Sequence, residues 1–395
     1  MNVLFYTQSE ISPQKGGTER ISCSVAAGLQ KRGISCYSVY QNSLPPAFAR
    51  FPFAGSFCIN GARFQHEIER FITDNQIDII INQGDFALTR KFRRAVDAVR
   101  PSCKIVFCHH FSPGAERYNY TPRNIFYKLR QGREVWKNIL KLASFPLAKR
   151  RFLRNLKADY RATYELSDCV VLLSLRFMDE FKAWGKIEDS GKFREIHNIL
   201  SFNTFFDCAQ YDGKKKTVLI VSRLEETQKR ISFALKIWRQ IERNGAVSDW
   251  RLKIVGSGQD LNKYRKMAAR YALKRVSFEG IRVPDSYYEE ASLFMMTSFY
   301  EGWGLTLTEA QQMGCVPLAF ASYASLPDII TDGVNGCVIP YGDIQSYADK
   351  MTELMLNDDL RKRMAIQAVE SSKRFASEVV MGQWINLLHE LHGRP

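Results

Sequence analysis

The chain has 395 residues, 45% hydrophobic and 25% charged, which is the composition of folded globular domains and excludes a disordered or fibrous chain. That length suits two domains, each large enough to bury its own core. The formal net charge is +15, and the longest apolar runs, such as Val170 to Leu173, are strand-sized and far short of a bilayer-spanning helix.

The first predicted element is a strand from Val3 to Tyr6. A helix follows from about Thr18, with Ile21, Val25 and Leu29 on one face. Then come a strand over 34–40, a helix carrying Phe64, Ile68 and Phe71, and strands over 77–81 and 104–108. The opening strand-like run carries no basic-then-apolar leader, so a cytoplasmic location is expected. Between Arg123 and Arg161 stand twelve basic residues and two acidic ones (Glu134 and Asp159), a local +10.

Beyond that segment the alternation resumes with a strand over 169–173 and a helix carrying Leu175, Met178 and Phe181. Periodicity fades over 201–216, where Asn, Asp, Gly and three lysines cluster, and a linker is expected there. A second alternating series then runs through strands over 217–221, 252–255, 276–278, 293–296, 316–318 and 336–339. Strands alternating with helices predict two doubly wound parallel sheets. In such sheets ligands bind beyond the carboxyl ends of the strands. The nine cysteines are scattered with no Cys-x-x-Cys pair, so reduced core thiols are expected rather than a disulfide framework or a zinc site.

The stretch Ser298-Phe299-Tyr300-Glu301-Gly302-Trp303-Gly304-Leu305-Thr306-Leu307-Thr308-Glu309-Ala310 follows a predicted strand and opens a helix near Gly304. Its glycines let the backbone approach a ligand, and amides at a helix start donate to an anion. Taken singly, Glu301 or Glu309 reads as a solvated helix carboxylate. The whole string resembles the Glu-x7-Glu signature of retaining glycosyltransferases of family 4, which have the two-Rossmann-domain GT-B fold. The resemblance implies that Glu301 contacts the donor sugar and Glu309 the ribose hydroxyls. Backbone around Gly302, Gly304, Leu305 and Thr306 would then hold the diphosphate.

The resemblance extends to Val221-Ser222-Arg223-Leu224 with Gln228-Lys229-Arg230 behind it. There the family uses an arginine and a lysine, which points to Arg223 and Lys229 as the cations that steady the leaving diphosphate. Gly16 and Gly17 match the glycine loop that reaches toward the donor phosphates. His109, preferred slightly to the adjacent His110, matches the histidine that the family places near the reacting sugar. His197-Asn198 resembles a structural turn at the domain junction, with Ile199 in place of proline. The loop from Ser322 to Asp328 departs from the family by lacking a glycine and carrying Asp328 where glutamate is usual, which leaves the donor's identity open.

The fold class implied is α/β, GT-B, with two Rossmann-like domains facing a central cleft. Residues 1–198 would form the acceptor-binding domain, with a basic insertion over 121–161. Residues 199–375 would form the nucleotide-sugar donor domain, and a C-terminal helix within 376–395 would pack back on the first. The absence of Asp-x-Asp, of a Gly-x4-Gly-Lys-[Ser/Thr] loop and of His-Glu-x-x-His predicts a metal-independent enzyme, and the resemblance implies a hexosyltransferase with a nucleotide-sugar co-substrate and no other cofactor. A UDP-sugar is favoured over a GDP-sugar, and the acceptor would be a glycan or lipid-linked sugar of cell-surface polysaccharide synthesis.

The basic segment interleaves its cations with Phe126, Trp136, Ile139, Leu140, Leu147 and Phe152. Contact with an anionic membrane surface, hence a peripheral position on the inner face of the plasma membrane, is preferred to packing on the first domain. Nucleic acid is not expected as a partner. Two rival readings keep the fold: a catalytically silent nucleotide-sugar binder on a membrane, and a disaccharide phosphorylase or synthase.

Overall fold

A computed structural model describes residues 1–14, 16–45, 47–59, 63–130 and 135–393. Of the basic segment, residues 131–134, Glu134 among them, lie outside the described residues. The chain divides into two units, one made of Met1–Ile199 with Ser377–Pro395 and the other of Leu200–Ala376.

The first unit is built on seven parallel strands: β1 Asn2–Ser9, β2 Ser35–Asn42, β3 Gly55–Cys58, β4 Ile79–Asn82, β5 Lys104–His109, β6 Cys169–Leu172 and β7 Phe193–Glu195. Their order is β3-β2-β1-β4-β5-β6-β7, so the winding reverses between β1 and β4. β4 and β6 are buried along their whole length, as expected of central parallel strands read as continuous apolar runs. On one face Leu4, Tyr6 and Ile80 pack against Ile68, Ile72, Leu88, Phe92 and Val96 from the helices Phe64–Asp74 and Phe86–Val99. Each such side chain stabilises the fold by about 1.5–3 kcal/mol when fully buried. The helix Phe86–Val99 starts at Asp85, whose carboxylate accepts from the amides of Ala87 at 3.0 Å and Leu88 at 3.3 Å. Such a cap contributes about 1 kcal/mol.

The last helix, Ser377–His392, belongs to this unit. A Cβ on Gly28 would stand 2.5 Å from Met381 Sδ, so the glycine lets the helix Gly17–Gln30 lie directly against it. Arg194 adds an ion pair to Glu390 at 2.9 Å.

The second unit carries six parallel strands: β8 Lys215–Val221, β9 Arg251–Val255, β10 Val276–Gly280, β11 Ala291–Met296, β12 Val316–Ala321 and β13 Cys337–Pro340. Their order is β10-β9-β8-β11-β12-β13, and the reversal lies between β8 and β11. Trp238, Trp250, Tyr264 and Tyr347 fill its core and are essentially fully buried.

Two expectations change. β3 and β7 were not anticipated; they are edge strands of four and three residues. The stretch 201–216 is not a free linker. The Gln312 amide donates to the carbonyls of Phe202 at 2.8 Å and Thr204 at 3.0 Å, strapping it to the second unit. No disulfide joins any of the nine cysteines among the described residues, and seven of the nine are buried.

Candidate active site

In an open parallel sheet the loops diverge where the winding reverses, leaving a crevice at the carboxyl ends of the two strands concerned. The second unit has such a crevice between β8 and β11. Val221 and Ser222 line it from the end of β8, Met296 to Ser298 from the end of β11, and Lys229 and Thr306 from the loops beyond.

From its lining, Lys229 Nζ donates to Glu301 Oε1 at 2.5 Å. Both side chains are largely buried, with 16% and 9% exposure. Gln228 Nε2 donates to Glu301 Oε2 at 3.2 Å and to the Tyr300 carbonyl at 3.1 Å, while its Oε1 accepts from Arg223 Nη2 at 3.0 Å. Arg223, Gln228, Lys229 and Glu301 therefore form one linked network. Arg223 is its outermost member, with a side chain 69% exposed. A lysine ammonium has three N–H donors, so the Glu301 bond leaves two directions for a further acceptor.

The loop that holds these cations is rigid for a reason visible in the backbone. Gly256 has φ +130°, and a Cβ there would meet the Ser222 carbonyl oxygen at 1.9 Å; one on Gly258 would meet the Leu224 carbonyl at 2.4 Å. The close approach permits Ser222 N to donate to the Val255 carbonyl and Leu224 N to the Ser257 carbonyl. Val255-Gly256-Ser257-Gly258 fails as a dinucleotide fingerprint in sequence, and its glycines act instead by admitting the neighbouring loop.

Gly304 has φ +93° and ψ 56°, the left-handed region, and caps the helix Leu305–Gln312 without a side-chain hydrogen bond. A Cβ on it would lie 2.8 Å from the Tyr323 hydroxyl. Burial, and then the nearby Glu301 carboxylate, push the Tyr323 phenol well above its ordinary value, so it stays protonated. Ser322 and Ser325 tie the loop after β12 to the Glu301 segment, donating to the Ser298 carbonyl at 2.7 Å and the Gly302 carbonyl at 3.0 Å. Gln228 and Tyr323 are not singled out by the sequence, because Glu301 lies 73 residues from Gln228 and Met296 lies 27 from Tyr323.

Glu309 is held separately. It is 2% exposed and accepts from Ser201 Oγ at 2.6 Å and from the Tyr288 hydroxyl at 2.8 Å.

In the first unit, Gly16 and Gly17 are exposed at the start of the helix Gly17–Gln30. A Cβ on Gly16 would make only ordinary contact with Glu19 at 3.6 Å. His109 ends β5 and is 3% exposed, enclosed by Phe86, Phe107, Tyr160 and Phe181. Its Nε2 has no hydrogen-bond partner among the described residues. Burial, reinforced by His110, lowers its pKa to about 3. His110 is the less buried of the pair, and its Nε2 meets Gln83 Oε1 in the loop after β4, beside the reversal of the winding. Burial lowers it to about 4, so both rings are neutral at pH 7.

Among the described residues no three His, Cys, Asp or Glu side chains gather as a set of metal ligands.

Residues 202–371 match the family model described as Glycosyl transferases group 1. The chain is 27% identical over 201 residues to the amylovoran biosynthesis glycosyltransferase AmsD of Erwinia amylovora, covering 50% of this chain and 55% of that one. The chain thus spans about half the length of that relative. An uncharacterized glycosyltransferase of Haemophilus influenzae aligns at 24% identity over 94% of this chain and 96% of its own. Among solved structures, Anabaena HepE in complex with UDP superposes with a TM-score of 0.71 at 16% identity, covering 99% of this chain and all of that one. The chain therefore has the GT-B fold, and residues 202–371 are similar to glycosyl transferases group 1.

Proposed function

We propose that the protein is a glycosyltransferase that moves a sugar from a nucleoside-diphosphate donor to a glycan or lipid-linked acceptor with retention at the anomeric carbon. The observation that carries this reading is the crevice at the β8–β11 reversal, with Lys229, Gln228 and Arg223 gathered around Glu301. Departure of the sugar leaves negative charge on the diphosphate, and fixed cations in a partly buried crevice stabilise that charge more than water does. Arg223 and Lys229 take this part, and the amides from Gly304 to Thr306 add backbone donors at a helix start. We assign this neutralisation to side chains rather than to a divalent ion.

In the proposed step the bond from the anomeric carbon to the diphosphate oxygen breaks. The leaving oxygen takes the proton of the acceptor hydroxyl, whose oxygen bonds to the carbon on the same face. Glu301 orients the donor sugar. Glu309 is proposed for the ribose, which requires that the ribose share a carboxylate already bonded to Ser201 and Tyr288. A carboxylate has about four acceptor sites, so sharing is chemically reasonable. The donor domain is the second unit and the acceptor domain the first. There His110, rather than the caged His109, is the histidine with an edge toward the strand-end loops. The UDP held by HepE supports a uridine donor, and the likeness of part of the chain to an exopolysaccharide phosphotransferase of Streptomyces coelicolor supports a product among cell-surface polysaccharides.

The test is a panel of UDP-, GDP- and ADP-sugars scored by thermal shift and nucleotide release on wild type and Arg223→Ala, a substitution at an exposed side chain. One donor should stabilise wild type, and less so the variant, with slow nucleotide release. Failure of every donor to stabilise the protein would overturn the reading.

A further inference from the structure

Amphipathic helices in globular proteins turn their apolar side inward, because burial of that side is what holds them in place. The helix Val135–Ala143 of the first unit does the reverse. Its one buried side chain is the polar Asn138, whereas Trp136 is 78% exposed, Leu140 67%, Ile139 42% and Val135 40%. The next helix, Phe145–Leu166, continues the pattern with Leu147 at 70% exposure. Four exposed large apolar side chains within six residues form a patch rather than scattered surface residues, and such patches mark interaction sites.

The surroundings of the patch identify its partner's chemistry. Leu140 and Leu147 line one groove together with Lys141, Ser144 and Arg151. Leu147 and Arg151 also border a second depression, with Lys149, Arg150, Arg154 and Lys157. Apolar and cationic groups thus form one continuous surface. From 135 to 161 there are eight cations and one carboxylate, a net +7. Among the described residues no carboxylate pairs with Arg150, Arg151 or Arg154. A protein partner would need an acidic and apolar face in the same arrangement. An anionic lipid surface supplies both everywhere, with phosphates outermost and hydrocarbon beneath. No helix among the described residues is long and apolar enough to cross a bilayer, so these two would lie along the surface.

We propose that Val135–Ala143 and the first half of Phe145–Leu166 dock the protein on an anionic bilayer. Trp136, Leu140 and Leu147 enter the headgroup layer, and Lys141, Lys149, Arg150, Arg151 and Arg154 meet lipid phosphates. The inference stands on the first unit alone and does not depend on the donor chemistry of the second.

The experiment floats the full chain with phosphatidylglycerol-containing vesicles and with pure phosphatidylcholine vesicles in about 0.1 M salt, where the screening length is about 10 Å. Wild type should float with the anionic vesicles only. One cation near such a surface changes partitioning by a factor of about five, so Arg150→Ala/Arg151→Ala should weaken binding about 30-fold. Trp136→Ser/Leu140→Ser/Leu147→Ser should weaken it at least about 100-fold, since each apolar chain entering the layer is worth roughly tenfold. All five side chains are exposed, and unchanged thermal unfolding confirms that the variants fold. Three results would overturn the proposal: no flotation with anionic vesicles, flotation indifferent to both variants, or a lipid-free dimer that the triple-serine variant dissolves. The last would assign the patch to a second copy of the chain.

Discussion

The Lys229–Glu301 pair makes the sharpest test of the crevice. Both partners are largely withdrawn from water and stand 2.5 Å apart. Removing one member of a buried pair costs about 3–5 kcal/mol, because the other charge remains without compensation. The two removals should differ. Lys229→Met strands the Glu301 carboxylate, the less exposed partner, with Gln228 as its remaining side-chain donor at 3.2 Å. Glu301→Gln leaves a longer and more flexible lysine, which can turn its ammonium toward water. Lys229→Met should therefore cost near the upper end of the range and Glu301→Gln near or below its lower end. The double variant should cost well under the sum, with a coupling of roughly 2–3 kcal/mol.

For a folding unit of 150–250 residues, 1 kcal/mol moves the melting temperature by about 2–4 °C. Lys229→Met is then expected to lower the transition of the unit Leu200–Ala376 by roughly 10 °C in scanning calorimetry. Because a buried pair is poorly screened, the shift should persist when salt is raised from about 0.1 to 0.5 M. Single shifts below about 2 °C, or strictly additive effects in the double variant, would refute the claim that the pair is an electrostatic unit. That result would also remove the argument that Lys229 is held ready for a phosphate.

Other outcomes follow from single positions. Gly256→Ala places a Cβ 1.9 Å from the Ser222 carbonyl, so the Arg223 loop must move; folding yield should fall sharply, or donor-induced thermal stabilisation should vanish. Gly304→Ala forces a left-handed residue beside the Tyr323 hydroxyl and should cost about 1–2 kcal/mol in urea unfolding, most of it relieved in Gly304→Ala/Tyr323→Phe only if the clash rather than the backbone dominates. His109 is depressed to about 3, so between its unfolded pKa near 6.5 and that value the unfolded chain binds the extra proton. Its contribution to stability is complete above about pH 6.5 and is lost as pH falls toward 3. From pH 7 to pH 5 wild type should lose about 2 kcal/mol more than His109→Phe, read from urea midpoints. Equal losses would show that the ring is not caged.

The parts of the fold that were legible are those whose local pattern and tertiary role coincide. β4, β6 and β11 are buried throughout and apolar but for Asn82 in β4 and Ser292 in β11, so their composition alone marks them. β3 reads Gly-Ser-Phe-Cys and β7 Phe-Arg-Glu; both are short and partly exposed, and neither has a local signal apart from the neighbour it pairs with. The 201–216 stretch misled for the opposite reason. Its polar composition reads as a loop, but it holds a short 3-10 helix over Cys208–Gly213 and the start of β8, and the carbonyls of Phe202 and Thr204 are claimed by Gln312, 110 residues away in the case of Phe202.

The site divides along the same line. Arg223, Lys229 and Glu301 stand out as charged residues in the loops that follow β8 and β11, and charge in such a loop is a local property. Gln228 is an ordinary amide until the fold brings Glu301 and Arg223 to its two ends, 73 and 5 residues away. The histidines carried a signal that the motif masked. Side chains alternate along a strand, so His109 shares the face of Phe107, and that face packs on Phe86 and Tyr160. Both faces of β5 are buried, so His109, inside the strand, joins the core, whereas His110, one residue past its end, meets the loop after β4. A residue's chemistry says what it could do in a site, whereas its place relative to the end of a doubly covered strand decides how far it is buried.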